Sequence, residues 1–192
     1  MIIYSRFIII LNQMFSEFFL CPISFTKNLG ESLDGNPKQK NFLLNLLKRR
    51  TIINLGCGEI INDDIRTLCI EANSEKYIGI DIQNERILPY IQNSITIEYV
   101  RADILDYLSD INSFNTPVAF IMFGIEPVNP QKERTLEYIH EMMCLISKIS
   151  DNDDIILIGN GTHGIHPSNY SFRKRFPIKF DKFSIQHYVK KN

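Results

Sequence analysis

Five short apolar segments, separated by longer segments of helical character, constrain the fold of this chain more than any other feature. Each is rich in β-branched or aromatic residues, and most show no apolar–polar alternation, which is typical of strands buried on both faces. These segments are residues 51–55, 77–80, 96–100, 118–123 and 155–158. Strands that alternate with helices predict a mostly parallel sheet with helices on both faces. The sequence therefore predicts a doubly wound α/β domain.

Helical spacing of apolar residues precedes the first predicted strand and fills the intervals between strands. The predicted helices are residues 37–49, 59–72, 84–93, 104–111 and 131–150. The last has apolar residues at spacings of three and four, which is typical of a helix face packed on a core. Pro89 fits the helix at 84–93 only if that helix is short or starts late, because proline has no backbone N–H.

The N-terminal residues 1–36 are predicted to form an apolar extension to a domain of residues 37–192. A membrane span needs about 20 nearly uninterrupted apolar residues. Arg6, Asn12 and Glu17 interrupt the apolar run, so no span is predicted. The four cysteines are scattered without a C-x-x-C pair, which predicts neither a disulfide framework nor a structural zinc and favours a cytoplasmic location.

The overall charge argues against a nucleic-acid partner. The isoelectric point is about 6.4, whereas a dedicated nucleic-acid-binding domain typically exceeds about 9. From Ser168 to the C-terminus, however, seven Lys or Arg residues accompany one acid, Asp181. Two interpretations stay open: a patch for an anionic substrate or nucleic acid, or basic residues that protect an exposed edge strand from aggregation.

Three predicted strands end in residues that suit a bound nucleoside. Gly56 and Gly58 follow the first strand, where glycine allows a tight turn and close approach to a ligand. Asp81 ends the second strand, and a carboxylate there can accept from both ribose hydroxyls. Asp103 follows the third strand and can accept from an exocyclic amine while Ile104 packs on the base. Each acid alone would more often be a helix cap, but together they predict an adenine nucleoside site.

A nicotinamide dinucleotide fits the same residues less well. Its G-x-G-x-x-G fingerprint would require glycine at position 61, which is Ile61.

Three segments resemble motifs of the class I S-adenosylmethionine-dependent methyltransferases, which have a Rossmann-like fold. Residues 53–58 (INLGCG) resemble the glycine-rich first motif, residues 77–81 (YIGID) the second, and residues 101–105 (RADIL) the third. The likeness extends from about Thr51 to Gly159, a little over half of the chain, and it identifies no subfamily.

The resemblance implies S-adenosylmethionine as the cofactor. In that family the glycine loop holds the methionine part, the second-motif acid binds ribose, and the third-motif acid binds the adenine amine. These roles fall to Gly56 and Gly58, to Asp81, and to Asp103. The complete set of predicted cofactor-binding residues is Asn54, Gly56, Cys57, Gly58, Asp81, Ile82, Asp103 and Ile104.

The chain departs from the family pattern at two motif positions and at its C-terminus. Asn54 stands where the family usually has an acid that helps hold the cofactor's ammonium, and Ile60 where a third glycine is common. The family's sheet usually finishes with a sixth strand and an antiparallel seventh. Alternating residues 183–190 predict one strand, which leaves the sixth reduced to residues 177–180 or missing.

Candidate catalytic residues follow the fourth and fifth strands. Glu126 follows the fourth, and His163 and His166 follow the fifth. Any of them could act as a base, which is needed only if the acceptor loses a proton. Glu126 has a simpler interpretation as a helix cap. These three residues lie on predicted loops, which is poor evidence for a metal, and no metal site is predicted.

Two functions stay open. The first is a methyltransferase that acts on a small molecule or an unidentified acceptor, and the intact glycines and acids favour it. The second is a non-catalytic relative that keeps the fold as a binding or interaction module, and Asn54 and Ile60 favour it. The sequence indicates neither the acceptor nor the oligomeric state.

Overall fold

The computed structural model describes residue 29 and residues 33–58, 63–85, 87–123, 135–158, 170–177 and 184–190. Within these residues a single eight-stranded sheet carries helices on both faces. The strands are β1 Thr51–Leu55, β2 Lys76–Ile80, β3 Tyr90–Gln92, β4 Ile95–Val100, β5 Val118–Met122, β6 Ile155–Ile158, β7 Tyr170–Pro177 and β8 Ser184–Lys190. The helices are α1 Pro37–Leu47, α2 Asp64–Ala72, α3 Ile104–Ser109 and α4 Thr135–Ile149.

The strand order is β3-β4-β2-β1-β5-β6-β8-β7. Strands β4, β2, β1, β5 and β6 are parallel, whereas β3, at one edge, and β8 run antiparallel to their neighbours. The predicted doubly wound, mostly parallel sheet is confirmed.

The core lies on both sides of the central strands, in which every residue of β1 and β5 is buried. Alternate side chains of a strand point to opposite faces. Ile52 therefore packs with residues of α1 and α2, whereas Ile53 packs with residues of α3 and α4. Burial on both faces explains why these strands are continuously apolar.

The predicted helix at 84–93 is wrong. Residues Tyr90–Gln92 form β3, which pairs antiparallel with β4. Asn93 and Ser94 join the two strands with φ values of 49° and 68°, the left-handed conformation that a two-residue type I′ hairpin turn requires. Pro89 disfavours a helix through this segment because it cannot donate a backbone hydrogen bond.

The other predicted helices are present with altered ends. Helix α1 begins at Pro37, and the Asn36 side chain accepts a hydrogen bond from the Gln39 backbone N–H at 3.3 Å. Helix α2 begins at Asp64 and α4 at Thr135; residues 59–62 and 131–134 lie outside the described residues.

The two C-terminal strands differ from the prediction in length and position. Strand β8 confirms the predicted antiparallel strand, but the strand expected at 177–180 lies instead at Tyr170–Pro177 and is eight residues long. It is the edge strand β7, and Arg173, Lys174 and Arg175 lie on it. Both interpretations of the basic C-terminal residues stay predictions.

The N-terminal part of the chain contributes to the core before α1 begins. Leu29 and Leu33 are buried in the same cluster as Leu43 and Leu47 of α1. The division into residues 1–36 and 37–192 stays a prediction, since residues 1–28 lie outside the described part. None of the described helices is long and apolar enough to cross a membrane.

Candidate functional site

The predicted cofactor residues lie at or just beyond the carboxyl ends of three neighbouring strands. Strand β1 pairs in parallel with β2, and β2 pairs in parallel with β4, so the carboxyl ends of the three strands are neighbours. The glycine loop follows β1, Asp81 follows β2, and Asp103 follows β4. Ligands of doubly wound sheets bind outside the carboxyl ends of the strands, which makes this edge the candidate site.

The glycine loop is held against β2 by its backbone. Gly56 and Gly58 have φ values of 69° and 67°, in the region that favours glycine. The backbone N–H groups of Gly56 and Cys57 donate to the Ile80 carbonyl at 2.8 and 3.2 Å. The loop therefore turns sharply over the end of the neighbouring strand.

Asp81 joins this loop to the segment that follows β2. Its Oδ2 accepts from the Gly58 N–H at 3.0 Å, and its Oδ1 accepts from the Gln83 N–H at 2.9 Å. A carboxylate oxygen has two lone pairs, so both oxygens can still accept from a ligand hydroxyl. Ile82 is 42% exposed beside this carboxylate, and an apolar ligand surface could cover it.

Asp103 caps α3 and also contacts α4. Its Oδ1 accepts from the Leu105 N–H at 2.8 Å and from the Tyr138 hydroxyl at 3.3 Å. Burial and the nearby Asp103 carboxylate raise the pKa of Tyr138 to about 12, so Tyr138 remains a hydrogen-bond donor at neutral pH. The other oxygen, Oδ2, makes no hydrogen bond with the described part of the chain. Ile104 is only 7% exposed and packs into the core.

Cys57 is a buried residue of the glycine loop. Its Sγ is 3.5 Å from Asn84 Nδ2, which also donates to the Gly79 and Val100 carbonyls at 3.1 and 3.0 Å. Burial raises the pKa of the Cys57 thiol far above its ordinary value. A buried, protonated thiol is a packing group and a poor nucleophile.

The absence of a side chain at Gly79 lets Tyr99 and Cys57 pack closely against β2. A Cβ there would lie 2.9 Å from the Tyr99 ring and 3.0 Å from Cys57 Sγ. We expect Gly79→Ala to destabilise the fold by about 1–2 kcal/mol, since overpacking strains a close-packed core. Equilibrium denaturant unfolding measures this cost. Tyr99→Leu should relieve part of it, so additive costs in the double variant would contradict the contact.

Asn54 belongs to a buried polar cluster, which we call the Asp63 cluster. Its members are Asn54, Asp63, Tyr77 and Tyr99. Asn54 Nδ2 donates to the Tyr77 hydroxyl at 3.0 Å, and the Tyr77 hydroxyl donates to Asp63. The Tyr99 hydroxyl donates to the same Asp63 oxygen at 3.1 Å. Asp63 is therefore the acceptor at the centre of the cluster.

Some site residues were not found from the sequence. Asp63 stands directly before the periodic apolar residues of α2, which is a helix-cap signal, but its partners Tyr77 and Tyr99 carry no local signal. Asn84 was assigned to the incorrect helix at 84–93. Tyr138 belongs to the apolar pattern of α4, and nothing in that pattern indicates a contact with Asp103.

The candidate catalytic residues lie elsewhere in the chain. Glu126, His163 and His166 are outside the described residues, so their roles stay predictions. In the described part of the chain, no three His, Cys, Asp or Glu side chains are grouped closely enough to hold a metal ion.

An open cleft of about 550 Å³ lies at the amino ends of the strands. The first residues of β1 and β2 and residues 110–116 line it. Lys76 and Glu98 form an ion pair of 2.6 Å there, and Asp110 adds a second carboxylate. The glycine loop and the two acids lie at the other end of the strands, and we assign the candidate site to that end.

No protein-family model matches the chain, and no curated protein matches its sequence. Among solved structures, an Escherichia coli protein provisionally described as a methyltransferase matches with a TM-score of 0.55 at 8% identity, covering 82% of this chain and 85% of that one. A Haemophilus influenzae protein provisionally described as a methylase matches with a TM-score of 0.52 at 12% identity, covering 81% and 88%. A Thermobifida fusca protein provisionally described as a methyltransferase gives 0.51 at 11%, covering 86% and 84%.

At these identities the likeness shows the fold. It is the Rossmann-like fold that the resemblance to class I methyltransferases predicts.

Proposed function

We propose that this chain, which has the fold that class I methyltransferases share, binds S-adenosylmethionine and transfers its methyl group to an acceptor. The observation that carries the proposal is the hydrogen bond of 3.0 Å between the Gly58 N–H and Asp81. This hydrogen bond joins the glycine loop, which would contact the methionine part of the cofactor, to Asp81, which would bind the ribose. Asp103 stands at the neighbouring strand end, where it would accept from the adenine amine.

The residues fit such a nucleoside in size and in hydrogen bonding. A Cβ at Gly58 would meet no atom of the described residues within 4 Å. Asp103 keeps one carboxylate oxygen for a donor, and Ile82 offers an exposed apolar surface next to Asp81. These features support the predicted roles of Gly56, Gly58, Asp81 and Asp103 in cofactor binding.

The proposed mechanism is an in-line displacement, in which orientation and exclusion of water supply much of the acceleration. S-adenosylmethionine, when bound, supplies a methyl group on a positively charged sulfur. Asp81 would hold the ribose through two acceptor oxygens, and Asp103 would orient the base. If the acceptor must lose a proton, Glu126, His163 and His166 are the candidate bases.

The proposed methyl acceptor is a small molecule or an unidentified acceptor. The isoelectric point near 6.4 argues against a nucleic acid, and a cytoplasmic location is the expectation from cysteine usage.

The alternative is a non-catalytic module that keeps this fold for binding or interaction. Asn54 favours it, since its amide already donates to Tyr77 and it brings no charge for an ammonium. The two functions differ in whether the cofactor binds.

S-adenosylhomocysteine should bind and raise the melting temperature. A ligand at 100 times its Kd stabilises the folded state by about 2.7 kcal/mol, which for a chain of this size is a shift of roughly 5–10 °C. Thermal unfolding with increasing ligand measures it, with NAD as the matched control that should give no comparable shift. No shift at millimolar S-adenosylhomocysteine would reject the proposed function and leave the non-catalytic module.

A further inference from the structure

His140 and Cys144 form a pair of metal-ligating side chains on the outer face of α4. They stand four residues apart, a spacing that places two side chains on the same face of a helix, one turn apart. Both residues are exposed, and Cys144 Sγ lies 3.7 Å from His140 Nε2. Neither belongs to the predicted cofactor or catalytic residues, so the pair has no role in the proposed function.

The separation of these two atoms matches the geometry of a tetrahedral zinc ion. Zinc binds a thiolate sulfur at about 2.3 Å and an imidazole nitrogen at about 2.0–2.1 Å. With a tetrahedral angle between these two bonds, the sulfur and the nitrogen lie about 3.6 Å apart. The observed 3.7 Å is close to this value, so the two atoms need hardly change their separation to hold one ion.

The chemistry of the pair also suits zinc. Thiolate sulfur and imidazole nitrogen favour zinc over magnesium or calcium, which prefer oxygen ligands. The Cys144 thiol gives its proton to solvent when its sulfur coordinates the ion, and the imidazole binds in its neutral form. A closed zinc site needs four ligands, and within the described residues no third His, Cys, Asp or Glu completes this one. One chain therefore supplies half of a site.

The outer face of α4 is suited to contact the same face of a second copy. Four of its exposed residues follow one another at spacings of four, three and four, the spacing of a helix contact face. They are Glu137, Glu141, Cys144 and Lys148. If two such helices pack antiparallel about a two-fold axis between residues 141 and 144, the two His140–Cys144 pairs meet at the centre. Glu137 of each copy then lies opposite Lys148 of the other.

We propose that His140 and Cys144 bind zinc together with the same two residues of a second copy of this chain, in a site of two cysteines and two histidines. A two-fold axis repeats each contact, so the second copy supplies the two missing ligands. The opposite charges of Glu137 and Lys148 favour this antiparallel orientation. Exposed ion pairs contribute little energy, so the zinc ion supplies most of the stability of the contact.

Zinc added to the reduced full chain should bind at one ion per two chains and double the mass in solution. Calorimetric titration gives the ratio of zinc to protein, and analytical ultracentrifugation gives the mass. EDTA should restore the initial mass, which it would not do if a disulfide between two Cys144 residues joined the copies. Cobalt(II) in place of zinc should give the near-ultraviolet charge-transfer absorption of a metal-bound thiolate.

Cys144→Ser should weaken zinc binding at least about a hundredfold, because the site loses two of its four ligands. It should also abolish the charge-transfer absorption and the change in mass, and His140→Ala should abolish the change in mass. Both positions are exposed, so the variants should keep the fold, which the melting temperature without zinc checks. Cys21→Ser removes a thiol elsewhere in the chain and is the matched control, which should behave as the wild type.

Three results would overturn the inference. The first is that the wild type does not bind zinc, and the second is that Cys144→Ser binds it as tightly as the wild type. The third is one zinc ion per chain without a change in mass, because the second copy would then not complete the site.

Discussion

Replacing Asp81 with Ala should lower the affinity for S-adenosylhomocysteine ten- to hundredfold. The change removes a charged acceptor for two ribose hydroxyls, and hydrogen bonds to a charged group contribute about 1.5–3 kcal/mol. It also removes the acceptor of the Gly58 N–H, so the glycine loop loses its connection to the end of β2. Calorimetric titration measures the loss, and the melting temperature without ligand shows that the fold persists.

Two further variants provide a comparison and a control for the Asp81→Ala result. Asp103→Ala should cost less, since one amine contact is lost. Asp106→Ala removes an exposed carboxylate in the first turn of α3 and should leave affinity unchanged. If Asp81→Ala binds as tightly as the wild type, Asp81 only holds the loop, and the assignment of the ribose site is wrong.

Replacing Asn54 with Asp should destabilise the domain by about 3 kcal/mol at neutral pH. Tyr77 already donates its proton to Asp63, so the new carboxylate would meet an oxygen lone pair and a second buried carboxylate. Two carboxylates in one buried site raise the pKa of one of them, and each unit costs about 1.4 kcal/mol. The expected fall in melting temperature is roughly 6–12 °C.

The pH dependence identifies the cause. A carboxyl whose folded pKa is raised above its unfolded value destabilises the fold at neutral pH, and this cost disappears as the pH falls below the unfolded value near 4. The variant should therefore approach the wild type in stability between pH 7 and pH 4. Asn112→Asp, at an exposed loop position, is the control and should be neutral throughout. A stable Asn54→Asp variant at pH 7 would contradict the hydrogen-bond directions assigned to the Asp63 cluster.

The strand ends illustrate what local sequence could predict. A strand buried on both faces needs continuous apolar residues, and a chain that turns sharply beside a ligand needs glycine, so β1 and the loop after it were recognised from adjacent residues. Asp81 was selected because it directly follows a recognisable strand, and Asp103 because it stands shortly after the end of another. The helix predicted at 84–93 was wrong because apolar spacing in a short segment fits a helix and a strand alike.

The partners of the site residues could not be predicted in the same way. Asn54 and Tyr77 are 23 residues apart in the chain, and Tyr99 and Asp63 are 36 apart. They meet only because β1, β2 and β4 pair in one particular register, in which Asn54 lies opposite Gly79 and Gly79 opposite Tyr99. A shift of one residue would turn Tyr77 to the other face of the sheet.

The sequence by itself determined the α/β class and the central strands, and it predicted the end of the strands to which we assign the candidate site, because burial and turn geometry depend on neighbouring residues. The tertiary structure alone decided that β3 is a strand, that Asp81 holds Gly58, and that Tyr138 donates to Asp103. Hydrogen bonds between distant side chains need distances near 3 Å and defined angles, and only the packing of the whole sheet and its helices sets these.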